Sequence, residues 1–313
     1  MAAAEAESIF ASNFPVDWQS MTMANLMDQD ECSSIQRFQR MSPEEIHERV
    51  DTEPERAREL ASALVRLARV TANATGVALA CALSAHILSG GRDRVALFVG
   101  PDDTLPTQEF VRVLTSDAEG NVPMDASKVV ALFLSAGSAA QLSTFSDGPV
   151  VQWLNGTIRF DTAITPRNVL GLRCAAALFR SRRFRLAFLA SEGIDFVCEY
   201  VAQKTTNGLT ADALYRATFA LWSLSYHDEA VAAVCAHNIT VHLIAKNLPH
   251  MDDKISRLGL ATLVNLLNKE DAEQGVALND VRTVSTFSFS LCICAPFVVM
   301  VVVNVVVVCG LLA

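Results

Sequence analysis

A basic surplus is missing from this chain of 313 residues: 25 Lys and Arg face 34 Asp and Glu, a formal net charge of −9. Nucleic-acid backbones are bound through clustered cations, so no nucleic-acid partner is expected. Aromatic residues are few, at 7% of the chain, while Ala, Leu and Val are abundant, a mix that suits packed helices rather than a β-sandwich. The pattern G-x-x-x-x-G-K-[ST] does not occur, which excludes a P-loop nucleotide hydrolase. A disulfide framework is missing too. Cys32, Cys81, Cys174, Cys198 and Cys235 are scattered through apolar helical patterns, as reduced thiols of a cytosolic protein would be. His237 and His242 are five apart, on different sides of a helix, unlike a zinc-binding H-x-x-x-H pair. Cys292 and Cys294 stand in an apolar run without a second ligand pair. No metal site, cofactor site or nucleophile–base pair can be assembled, so no catalytic residue is expected. The opening MAAAEAESIF has neither a basic n-region nor a long apolar core, so no secretory signal is expected. The N-x-T triplets at Asn73, Asn155 and Asn238 then read as chance rather than glycosylation sites.

What is present is helix periodicity. In the stretch Leu214–Asp271, residues Leu214, Ala217, Thr218, Leu221, Trp222 and Leu224 recur at the spacing of a buried helical face. His227–Glu229 breaks the run, and a second helix is expected from about Ala230 to Leu248, stopped by Pro249. A third opens at Met251–Asp253, with Ile255, Leu258, Leu260, Leu263, Val264 and Leu267 as its stripe. Upstream, Asp28–Arg40 runs from acids to bases, the order a helix macrodipole favours, with Ile35 and Phe38 as its apolar pair. Ser42-Pro43-Glu44-Glu45 spells a capping box with Pro at the first helical position, and Thr52-Glu53-Pro54-Glu55 repeats the device. The helix it opens carries Leu60, Leu64 and Leu67 at i, i+4, i+7, with Arg56, Arg58, Glu59, Arg66 and Arg69 on other faces. Gly76–Leu88 is a further apolar helix, and Gly90-Gly91 is a helix stop rather than a phosphate cradle.

From there the pattern repeats. Second members of successive helix pairs start near Leu105, Val150, Ile194 and Ile239, 44 or 45 residues apart, with the Val150 copy the weakest. Armadillo and HEAT units have periods of roughly 40–47 residues. The expected fold is therefore all-α, an armadillo/HEAT-like α-solenoid, a binding scaffold rather than a catalyst. Ser116–Pro123 and Thr157–Arg167 read as loops. Two groups stand out as partner-binding candidates. Arg180, Arg182, Arg183 and Arg185 form the densest basic cluster, either a solvated helix C-terminus or a docking patch for an acidic partner helix. Phe14 and Trp18 either cap the first repeat or offer an aromatic anchor. Trp153 and Trp222 fit core packing.

Charge disappears after Arg282, and Phe287–Ala313 is almost continuously apolar over 27 residues. That exceeds the roughly 20 residues needed to span a bilayer, with Pro296 and Asn304 as tolerated interruptions. One reading is a C-terminal membrane anchor. The other, preferred, is translated sequence that is not normally coding. The expected organisation is a frayed N-terminus at 1–13, a helical-repeat domain at 14–273, a linker at 274–282 and the apolar tail at 283–313.

Three motifs in order resemble the H subunit of the vacuolar-type proton-pumping ATPase (V-ATPase). They are VDWQS at Val16–Ser20 with CSSIQRF at Cys32–Phe38 and SPEE at Ser42–Glu45; SRRFRLAFLASEGIDFV at Ser181–Val197; and LYRATFALWSLSYHDEA at Leu214–Ala230. The resemblance covers roughly Phe14–Asp271 and is not seen past about Glu273, where the family would continue into a smaller helical domain. It implies a non-catalytic regulatory component of the cytosolic catalytic sector. Such a component contacts the peripheral stalk formed by the E and G subunits, with the pump's a subunit as a further partner, at the cytoplasmic face of vacuolar and endosomal membranes. Membrane association would be through the complex, or direct if the tail is an anchor. The part that silences ATP hydrolysis in the family is the C-terminal domain, which is not expected in this chain. The competing reading is a tail-anchored armadillo-type adaptor unrelated to the pump.

Overall fold

The computed structural model describes residues 10, 13–70, 73–118, 120–160, 163–191, 193–202, 211–230, 234 and 252–267. Among them every regular element is helical: α1 Trp18–Met23, α2 Gln29–Gln39, α3 Pro43–Thr52, α4 Pro54–Arg69, α5 Ala74–Ser89, a 3-10 helix Arg92–Phe98, α6 Thr107–Leu114, α7 Val122–Ala136, α8 Asp147–Ile158, α9 Pro166–Leu178, α10 Arg182–Leu189, α11 Gly193–Ala202, α12 Ala211–Leu224 and α13 Asp253–Leu267. They fall into two compact units, Met1–Val150 and Val151–Ala313.

Local chemistry sets the helix starts. Asp28 caps α2 and Ser42 caps α3, each in a reciprocal capping box with the Glu three residues on, Glu31 and Glu45. Thr165 and Asn168 do the same for α9, with Pro166 pre-set at the first helical position. The device expected at Thr52–Glu55 is different. One residue, Glu53, separates α3 from α4, so Thr52 is still the last residue of α3, and its hydroxyl donates to the Glu48 carbonyl at 2.8 Å. Helix α4 starts on Pro54 with no side-chain cap, and Glu53 instead accepts from Arg49 and from Arg56, the latter at 2.6 Å. Pro123 and Pro166, expected in loops, lie in the first turns of α7 and α9.

In the first unit α4 is the central element, packed by α2, α3, α5, α6 and the 3-10 helix. Leu60, Leu64 and Leu67 are fully buried, as their spacing implies, and Ala57, Ala61, Ala63 and Ala68 fill the gaps between them. Helix α5 is apolar on nearly all sides, and Leu79, Ala80, Cys81, Leu83, Ile87 and Leu88 are all buried. Its close approach to α4 needs Gly76, where a Cβ would sit 2.9 Å from Leu67 Cδ1. Phe98, Phe110 and Phe133 close the far end: the Phe133 ring centroid lies 5.6 Å from Phe98 and 5.8 Å from Phe110.

In the second unit α12 packs on α9, α11 and α13. Leu214, Ala217, Thr218, Leu221 and Leu224 are buried, whereas Trp222 is half-buried and outside the core. The buried stripe of α13 is Ile255, Gly259, Thr262, Leu263 and Leu266; Leu258, Leu260 and Val264 are half-buried. Asn265 Nδ2 of α13 donates to Ser225 Oγ, just past the end of α12, at 2.9 Å. The helix expected at 230–248, with its stop at Pro249, lies almost wholly outside the described residues, as does the apolar tail.

The repeat is visible twice over. Helices α5, α7, α9, α12 and α13 begin at Ala74, Val122, Pro166, Ala211 and Asp253, successive offsets of 48, 44, 45 and 42 residues. Helices α6, α8 and α11 fall where the second members were expected; the Ile239 copy is outside the described residues. Polar contacts between elements recur at the same spacing. In the first unit Arg94 pairs with Asp51, Arg69 with Glu109, and Arg112 with the Ala68 carbonyl, 43, 40 and 44 residues apart. In the second, Arg173 pairs with Asp212, Arg185 with His227, and Tyr200 with the Ile158 carbonyl, 39, 42 and 42 apart. The last is buried, at 2.6 Å, and burial pushes the Tyr200 phenol well above its usual value. Tyr200→Phe leaves that carbonyl only the longer contact from Asn168 Nδ2, at 3.5 Å, and should cost about 0.5–1.5 kcal/mol, read as a lower urea midpoint with an unchanged slope.

Candidate partner-docking surfaces

Of the basic cluster only Arg180 sits at a helix C-terminus, just past the Phe179 cap of α9. Helix α9 ends at Leu178, and Ser181, itself 1% exposed, caps a new helix by accepting from the Phe184 amide. Arg182, Arg183 and Arg185 therefore occupy the first half of α10, and no acid balances them in its first turn. Cations at that end oppose the macrodipole, which favours anions there. The intervening side chains anchor the helix: Phe184 and Phe188 are fully buried against Phe179, with centroids 6.2 and 4.8 Å away.

The four arginines divide by environment. Arg180, Arg182 and Arg183 are exposed. Arg185 turns inward: its Nε donates to His227 Nε2 at 2.7 Å and its Nη1 to the Phe179 carbonyl. Burial, aided by the neighbouring Arg182 charge, holds its pKa below the usual guanidinium value. An arginine can only donate, so His227 Nε2 presents its lone pair. Arg185 thus positions α10, and the surface charge belongs to the other three.

Phe14 and Trp18 are both half-buried. The Phe14 carbonyl accepts from Gln39 Nε2 at 2.6 Å, and Asp17 caps α1 by accepting from the Ser20 amide and hydroxyl, bonds that hold its carboxyl below the ordinary range. Phe14, but not Trp18, lines a groove of ≈ 770 Å³ whose walls include Val77, Ala78, Arg112, Val113 and Asp125. Sequence reasoning missed this groove, because α5, α6 and α7 come together there through long-range packing. It also missed an aromatic row that runs along α12 and just past its end: Tyr215, Phe219, Trp222 and, two residues beyond the helix, Tyr226 follow one another with centroids 6.5, 5.5 and 5.4 Å apart. The 4-3-4 spacing is the signal that could have found it.

Among the described residues no three His, Cys, Asp or Glu side chains converge as a metal site, and no helix is long and apolar enough to cross a membrane. Cys32, Cys81, Cys174 and Cys198 are buried, and desolvation pushes the Cys81 thiol up to about 12. Because Arg182 is exposed at the wrong end of α10, Arg182→Glu should raise the unfolding free energy by about 0.3–1 kcal/mol, measured by urea denaturation at low salt.

A family model for the V-ATPase H subunit matches residues 2–313, so the likeness extends beyond the Phe14–Asp271 stretch marked by the three motifs. The H subunit of the V-type proton ATPase of Dictyostelium discoideum is 27% identical over 168 residues, 53% of this chain and 36% of that protein. The alignment thus spans about a third of the length of the curated relative. Among solved structures, an engineered protein aligns with a TM-score of 0.55 at 16% identity, covering 80% of this chain and 97% of its own. A second engineered protein aligns at 0.57 and 17%, covering 82% and 65%. Designed armadillo repeat proteins for modular peptide recognition align at 0.51 and 15%, covering 79% and 98%. At these identities the likeness concerns the fold alone, an armadillo-like α-solenoid. With a family match spanning the whole chain from residue 2, this chain belongs to the family of V-ATPase H subunits.

Proposed function

We propose that this chain is a non-catalytic regulatory subunit of the vacuolar proton pump, seated on the cytosolic catalytic sector. It docks on the peripheral stalk formed by the E and G subunits and supports coupling of ATP hydrolysis to proton transport, with the pump's a subunit as a further contact. It acts at the cytoplasmic face of vacuolar and endosomal membranes. The observation that carries the reading is family membership combined with the charge placement on α10: Arg180, Arg182 and Arg183 are exposed, and the last two sit where the helix macrodipole disfavours them. A cation at the first position of a helix, as Arg182 is, suits a surface selected for an acidic partner. Phe14 and Trp18 provide a second, aromatic contact on the first unit.

The test is reconstitution. Pump complexes stripped of their H subunit, or the purified stalk pair, are mixed with this chain, and binding is followed by co-sedimentation and by coupled proton transport. The chain is expected to bind, and Arg180→Glu/Arg182→Glu to weaken binding at least about tenfold, roughly 1.4 kcal/mol, without loss of fold. A chain that collects on membranes lacking the pump and leaves the stalk unbound would instead identify a membrane-anchored adaptor.

A further inference from the structure

A buried arginine in the first unit is held by a histidine in a way that only neutral histidine permits. Arg94, on the 3-10 helix, is 7% exposed. Its Nη2 donates to both Asp51 carboxylate oxygens at 2.8 Å, and its Nη1 donates to the Ile87 carbonyl at 3.0 Å and to His47 Nδ1. One guanidinium thus ties α3, which carries His47 and Asp51, to the end of α5. The cluster is closely fitted: a Cβ on Gly90 would overlap the Arg94 guanidinium. His86 of α5 stacks on His47 with centroids 4.2 Å apart, and its Nε2 lies 3.0 Å from the Pro43 carbonyl. Because that carbonyl can only accept, His86 Nε2 carries a hydrogen. The Phe10 ring also packs on His86, with centroids 5.5 Å apart.

We propose that the His47–Arg94 contact is a proton-released latch that holds α3 to α5 and the 3-10 helix at neutral pH and lets them part on acidification. The inference goes beyond the docking role and does not rest on it. The argument is one of donors. A guanidinium has no acceptor and no neutral form in proteins. His47 Nδ1 must therefore be the unprotonated nitrogen, with the hydrogen on Nε2. Protonation puts an N–H against an N–H, and an imidazolium beside both a buried guanidinium and a second histidine. The charged groups acting on His47 are His86 of α5, Arg94 of the 3-10 helix, and Asp51 and Glu44 of its own helix. Burial comes first in lowering its pKa from 6.5, followed by His86 and Arg94, and the two carboxylates oppose them without cancelling the shift. A histidine with a lowered folded pKa gives stability that is whole above the unfolded value of about 6.5 and is lost as pH falls through the folded value. The latch also reaches the groove. Phe10 packs on His86, and Gln39 Nε2 donates to the carbonyls of Phe10 and Phe14, the second of which lines the groove.

The test is hydrogen exchange of the full chain, corrected for intrinsic rates, at about pH 7.5 and about pH 5.5, the range in which histidine switches. In the wild type, peptides from α3 and Arg92–Phe98 should lose protection several-fold at the lower pH, while α7 does not. His47→Gln, which keeps an acceptor for Arg94 but cannot take up the proton, should be protected equally at both. Protection that is flat in the wild type, or that falls equally in the variant, overturns the proposal. Should the variant not fold, histidine NMR of the wild type decides. The latch requires His47 as the Nε2–H tautomer titrating below an ordinary histidine, and the opposite tautomer or an ordinary pKa contradicts it.

Discussion

A helix apolar on nearly all sides, such as α5, cannot be stable in water by itself. Its surface must be covered by other helices, and in this chain the covering elements come from within about one repeat in sequence. Helix α4 in turn meets α2, α3, α5, α6 and the 3-10 helix. Burial of a Leu side chain stabilises by roughly 1.5–3 kcal/mol, so the apolar contacts supply the cohesion. The polar contacts fix register. Surface pairs such as Arg69–Glu109 and Arg173–Asp212 are each worth about 0–1 kcal/mol, but they join residues 40 and 39 apart and so favour one alignment of successive helices.

That constraint explains which parts of the fold are legible in the sequence. Large apolar residues at helical spacing mark the core face of α4 and most of α12, and the capping residues Asp28 and Ser42 stand where their helices begin. Expectation and structure part where a local rule competes with another. Thr52 has the pattern of a cap because Thr-x-Pro-Glu follows the form of the preceding box, yet a linker of one residue leaves it inside α3. The stripe of α13 departs from the expected one because its buried residues include Gly259 and Thr262, which carry no hydrophobic signal. Trp222 sits outside the core because its face of α12 belongs to the row running from Tyr215 to Tyr226.

The candidate site is legible as composition but not as geometry. Four arginines in six residues are obvious. That three of them begin a helix, and that Arg185 is spent on His227, depends on where Ser181 restarts the chain. The Arg94–His47–Asp51 cluster has no local motif at all, since its members come from two elements more than forty residues apart. Its one sequence trace is the repeat itself: Arg94 and Asp51 are 43 apart, the spacing at which side chains in this chain meet. A docking scaffold is what such an architecture offers, because each repeat contributes a few surface residues to a continuous face while its core is spent on its neighbours.

The most direct measurement of this nearest-neighbour cohesion is native-state hydrogen exchange on Ile35→Ala, which removes a fully buried side chain from α2 at a cost of about 2–5 kcal/mol. The account predicts that protection falls in α1, α2 and α4, the elements in contact with the site, and is nearly unchanged in α6 and α7. An equal fall through α6 and α7 would show one indivisible core and contradict it.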